Sequence, residues 1–203
     1  MFKLLLSCSM LCASSFIVMS GQSSAQSDAA APMQKSVNSV RVAVGKSARD
    51  AATPLLDQLK SAKDVVIAQD LEGRICEAWA VSDDPEIDRL MGQAQIYMQS
   101  RAPVYALAVL DTVIAKAPGF AEGWNVRATL FFVAKDYNRS FTDFVHVLTL
   151  EPRHFGALSG IGLILNRRGD KLGALAAYEQ VLQVDPLNSG AKASVEALQG
   201  NPI

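Results

Sequence analysis

The chain has 203 residues, of which 50% are hydrophobic and 19% charged, with a formal net charge of −1. It can therefore build a core, but it carries no basic field of the kind that draws in nucleic acid or an anionic membrane, and neither is expected as a partner.

The N-terminus reads as an export signal. Lys3 supplies a positive charge, Leu4 to Met19 is mostly apolar, and Ser23-Ser24-Ala25 offers small residues for cleavage after Ala25. The predicted product is periplasmic. The apolar stretch is broken by serines and shorter than the ~20 residues of a spanning helix, so no stable membrane insertion is expected once residues 1–25 are removed. Neither Cys8, which follows too short an apolar run, nor Cys12, which follows Leu11, has the setting of a lipid attachment site.

Residues 26–52 are predicted to be a flexible tether, rich in Ser, Ala, Gln and Asn as far as Arg49 and poor in aromatic residues. Residues 53–86 predict a helical pair. Leu55, Leu56 and Leu59 suggest a short helix with Pro54 in its first turn, and Asp64 is placed to cap a second helix reaching about Val81. In that second helix Leu71, Ile75 and Trp79 recur on one face with Cys76 beside them. Signal removal would leave Cys76 as the sole cysteine, which excludes an intramolecular disulfide from the mature chain and predicts a small buried thiol. The pair is expected to pack on the segment that follows and shield its end, with Ser82-Asp83-Asp84-Pro85 as the connecting turn.

From Ile87 the sequence repeats. Pro118, Pro152 and Pro186 lie 34 residues apart and close three units, 87–120, 121–154 and 155–188. In each unit's first helix, bulky residues (Leu90, Trp124, Leu158, then Tyr97, Phe131, Leu165) stand about two turns apart on one face, with Ala94, Ala128 and Gly162 between them. Ala106, Ser140 and Ala174 give the second helices matching small positions where helices cross closely. Leu110, Phe144 and Tyr178, with Val113, Val147 and Val181, carry the apolar stripe onward to the proline, which cannot continue a helix. Residues 189–203 predict a capping helix and tail, with Ala191, Val195 and Leu198 on its inner face.

These columns resemble the tetratricopeptide repeat (TPR) family. Unit 121–154 matches best, through Trp124, Ala128, Phe131, the turn Lys135-Asp136-Tyr137, Ser140, Phe144 and Pro152. Unit 87–120 departs most, with Gln93 in a usually apolar column and Arg101-Ala102-Pro103 at the turn. The resemblance implies an all-α helix-turn-helix solenoid of three repeats, flanked by an N-terminal helical hairpin and a C-terminal capping helix. It also implies a concave groove that binds a protein or peptide, lined by Met91, Gln95 and Met98, by Asn125, Thr129 and Phe132, and by Ser159, Leu163 and Asn166. Asn125 is placed to hold a peptide backbone through its amide. Met91 and Ser159 stand where the family's carboxylate clamps carry cations, so the groove favours an apolar helix or extended hydrophobic segment.

No catalytic signature accompanies the repeats. His146 and His154 are separated by the helix-breaking Pro152, which argues against a zinc pair, and a dyad of Cys76 with His146 would need an unprompted proximity. Gly160-Ile161-Gly162 sits inside a repeat helix and is no nucleotide loop. The chain is therefore read as a non-enzyme without cofactor or metal. Two functions fit: a periplasmic scaffold that binds an envelope protein or peptide, and a self-assembling structural module whose copies fill one another's grooves as a homo-oligomer.

Overall fold

Short polar side chains start most of the helices, because the first backbone N–H groups of a helix have no partner inside it. The computed structural model describes residues 50–200; the predicted signal and most of the predicted tether lie outside them. Residues 50–61 form α1, and the helices after it are α2 (Val65–Ala80), α3 (Pro85–Gln99), α4 (Pro103–Lys116), α5 (Ala121–Val133), α6 (Tyr137–Leu150), α7 (Phe155–Arg167), α8 (Lys171–Val184) and α9 (Ser189–Gln199). Asp64 accepts from the N–H groups of Val66 and Ile67, Asp84 from Glu86, Asp136 from Arg139, Asp170 from Gly173, and Asn188 from Ala191. Pro85 and Pro103 begin α3 and α4 from within the first turn.

Each unit is one helix pair (α3–α4, α5–α6, α7–α8), and each pair packs on the next. The small columns are buried as expected, with Ala94, Ala128, Ala106, Ser140 and Ala174 all fully enclosed. A Cβ built at Gly162 would lie 2.9 Å from the Tyr178 ring, which is why that column narrows to glycine here. Trp124 differs from the expected core knob. It is only half-buried, since its Nε1 reaches out to donate to the Pro118 carbonyl (2.9 Å) while its ring packs on His146.

The turns inside the units are identical in geometry and different in residue. Arg101, Lys135 and Gly169, at the same place in the 34-residue frame, all have positive φ (56°, 62° and 82°). In each, the next N–H bonds back to a carbonyl five residues earlier: Ala102 to Tyr97, Asp136 to Phe131 and Asp170 to Leu165. This is the glycine-favouring end of a helix. Arg101 and Lys135 adopt it at a cost of roughly 1–2 kcal/mol each.

Gly160 belongs to no column of the repeat, yet it is as constrained as Gly162. A Cβ there would clash with the edge of the Phe144 ring, which is itself fully buried. Gly160→Ala should lower stability by about 1–3 kcal/mol through overpacking. Urea denaturation followed by circular dichroism would read this, and a midpoint equal to wild type would show that α6 and α7 can separate freely.

The N-terminal pair departs from the expected arrangement. The chain is already helical at residue 50, so Pro54 lies beyond the first turn, and the fully buried Ala52 belongs to a packed helix rather than to a tether. The pair does not shield the first unit. Ala52, Leu56 and Leu59 of α1 and Ala68, Leu71, Ile75, Cys76 and Trp79 of α2 share one apolar cluster with Phe155 and Leu158 of α7, Tyr178 and Val181 of α8 and Ala191 of α9. α7, α8 and α9 present a broad apolar surface that would otherwise be wet. Cys76 is buried within this cluster, beside the Leu71, Ile75 and Trp79 stripe.

Candidate functional site

Part of the surface that the repeat frame assigns to the groove, on α5 and α7, has α2 lying against it. That helix touches α5, and its apolar stripe joins the cluster that includes Phe155 and Leu158, with Leu163 packed against it. Trp79 is the anchor of this seam. Its ring stacks on His154 with centroids 4.1 Å apart and planes 13° apart, and meets Phe155 at 5.3 Å.

His154 is fully buried and works on two sides. Its Nδ1 accepts from the Ala157 N–H (3.1 Å), capping α7, which leaves the neutral ring's hydrogen on Nε2. Nε2 faces Glu122 Oε2 at 3.5 Å. Glu122, also buried, accepts from the Asn125 amide, which donates to its two oxygens at 3.2 Å each. Thr129 donates to the Asn125 carbonyl (3.0 Å).

Two turns before Trp79, in the middle of α2, the polar partners are carboxyls. Glu72 is hydrogen-bonded to Asp185, and burial together with that neighbour pushes its carboxyl up to about 8. Asp185 is fully buried, accepts from the Leu187 N–H (3.2 Å) and the Asn188 amide (2.9 Å), and thereby ties the seam to the start of α9. An exposed ion pair, Arg153 with Asp57 (2.6 Å), joins α1 to the loop before α7.

The nine residues expected to line the groove are distributed unevenly. Asn125 and Thr129 are buried, and the Asn125 NH2 group is engaged by Glu122 rather than turned to a partner. Met91 and Met98 pack into the cluster of Ala94, Leu110 and Leu130 that joins the first two units, and Phe132 packs near Tyr137 and Phe144. Gln95 and Ser159 are half-buried, and Asn166 is exposed. Met91, Gln95, Met98 and Phe132 therefore retain accessible surface, while Leu163 packs against the cluster that the helical pair shares with α7, α8 and α9.

Trp79, Glu72, His154 and Glu122 were not singled out as site residues by the sequence. One signal was available: His154 and Asn188 both end a 34-residue unit, at the place where a side chain can cap the next helix, and both do so. His146 packs on Trp124, away from Cys76, which belongs to the seam under α2. Among the described residues no group of three or more His, Cys, Asp or Glu side chains could hold a metal ion, and no helix is long and apolar enough to cross a membrane.

The chain is 40% identical over 151 residues to a TPR repeat-containing protein of Rhizobium etli, an alignment that covers 72% of this chain and 74% of that protein. No protein-family model matches it. Among solved structures it is similar to crystal structures of MamA: one covers 78% of this chain and 82% of its own with a TM-score of 0.53 at 17% identity, another 68% and 85% with a TM-score of 0.54 at 18% identity. At these identities the likeness is one of fold.

Proposed function

The chain belongs to the tetratricopeptide repeat family, and from that premise we propose that it is a non-catalytic, exported scaffold whose groove binds an amphipathic helix of an envelope protein. One observation carries this reading: the part of the groove lined by α5 and α7 is covered by such a helix, α2, with Leu71, Ile75 and Trp79 turned inward. A surface that accepts apolar side chains at helical spacing from its own chain suits the same pattern on another protein. Met91, Met98 and Phe132 extend that surface towards the first unit with adaptable, polarisable contacts.

A photo-crosslinking residue at Phe132, with a second at the outward-facing Val145 as control, tests the assignment in the native envelope. Captured protein should be found at Phe132, and capture confined to Val145 would move the binding surface to the convex side. Export rests on Lys3, the apolar run and Ser23-Ser24-Ala25, and intact mass of the envelope-derived protein should begin at Gln26. A mass that includes Met1 would overturn it.

Self-assembly is the second reading, favoured by the uncovered end of the stack. Ile96, Val104 and Tyr105 of the first unit are 61%, 75% and 64% exposed, a group of large apolar side chains that the helical pair leaves bare. Light scattering across a dilution series decides, since a dilution-resistant oligomer supports assembly and a monomer at all concentrations removes it.

A further inference from the structure

The contacts that hold α1 and α2 over the groove are of two kinds. The apolar contacts are broad, but the anchor among them is imperfect: the Trp79 Nε1 donor is buried with no acceptor among the described residues, an arrangement that weakens docking relative to a satisfied seam. The polar contact opposite is a pair of carboxyls, Glu72 on α2 and the enclosed Asp185 on the α8–α9 loop, in hydrogen-bond contact. Two carboxyl groups can share such a bond only while one of them keeps its proton, since neither carboxylate alone has a hydrogen to donate.

We propose that the α1–α2 pair is a proton-sensitive cover of the groove, latched by the bond from the protonated Glu72 carboxyl to the Asp185 carboxylate and loosened when that proton leaves. This rests on the groove reading above and adds its regulation. The remaining charged groups are placed so that they do not replace the proton. Asn188 is the other polar group facing Glu72: its NH2 group donates to Glu72 as well as to Asp185, a bond that favours the ionised Glu72 but is outweighed by burial and by Asp185. On α2 itself Arg74 pairs with Asp70 on the exposed side. From the other elements of the seam, Arg153 pairs with Asp57 of α1, and His154 faces Glu122 of α5.

The direction follows from the two states. The docked carboxyl holds its proton up to about pH 8, whereas the released one ionises near 4.5. Between those values docking takes up a proton. Docking is therefore strongest below the released value, weakens as pH rises by up to about tenfold per pH unit, and levels off above the docked value.

Hydrogen exchange of the intact protein, read by mass spectrometry and corrected for the intrinsic rate at each pH, tests this without any partner. Protection of residues 50–80 relative to α5–α8 should fall steeply from about pH 5 to about pH 8. In Glu72→Gln, whose amide donates to Asp185 at every pH, the slope should be lost and protection at about pH 8 should exceed wild type by at least roughly tenfold. Any dependence that His154 contributes would survive in that variant. Asp185→Asn, whose amide donates to an ionised Glu72, should flatten the slope as well and guards against a Glu72→Gln chain that does not dock. A wild-type ratio constant with pH, or the wild-type slope persisting in both variants, overturns the latch. A latch that works while nothing is captured at Phe132 sinks the groove reading instead, and capture with a pH-independent cover sinks the latch alone.

Discussion

Arg127→Ala should destabilise the protein by about 3–5 kcal/mol, the cost of leaving a buried charge without its partner. Arg127 joins three helices. Its Nε and Nη2 form a two-pronged bond to Asp143 of α6 at 2.8 and 2.9 Å, and its Nη1 reaches Asp111 of α4 at 2.7 Å. The guanidinium lies over the Trp124 and Phe131 rings, and the bond to Asp143 holds it above its usual value. The Arg127 and Asp143 side chains are 17% and 5% exposed, so solvent screens the pair little. Removing Arg127 strands the Asp143 carboxylate, whereas Arg127→Met with Asp143→Leu removes both charges and should recover most of the loss. Urea unfolding of the single and double variants reads the difference. A single variant within about 1 kcal/mol of wild type would mean that the pair is ornamental to the stack.

Trp79→Ala should release the helical pair, because it deletes the largest side chain of the seam at a site that is 3% exposed. Loss of that packing is worth about 3–5 kcal/mol, which corresponds to on the order of a hundredfold or more in the docking equilibrium. Trp79→Phe separates packing from the unpartnered indole donor. It keeps an aromatic face for His154 and removes the buried N–H, so it should dock within about 1 kcal/mol of wild type or better. The readout is exchange of residues 50–80 with α5–α8 as internal reference. If Trp79→Ala unfolds the repeats as well, the pair and the stack form one cooperative unit and the cover cannot open by itself.

Much of the stack was legible because its cause is local and repeated. The proline spacing, the small columns and Asp64 at the start of α2 each act within a few residues, and the structure agrees with them. What escaped depends on partners far along the chain. Arg153 meets Asp57 across 96 positions, and nothing in the periodicity of Leu71, Ile75 and Trp79 says which surface will cover them. Asn125 was read as a free amide because its frame position is on the inner face, but Glu122, a neighbour in the same helix, is buried close enough to occupy it. Arg101 and Lys135 hid a left-handed turn, since the geometry comes from the helix end and is imposed on whatever residue stands there.

A stack of repeats usually makes contacts only between neighbours, so it can begin folding anywhere and melt from its ends. Here the seam joins residues near position 55 to residues beyond position 150, bending a linear array into a closed circuit. Closing a loop of that length carries an entropic cost that no local contact offsets, and long sequence separation slows the step. The three repeats should therefore form first and offer a finished surface, with α1 and α2 settling onto it last. In a chain that emerges N-terminus first, the segment that arrives earliest is the one that must wait longest, since its landing site is the last part to be made.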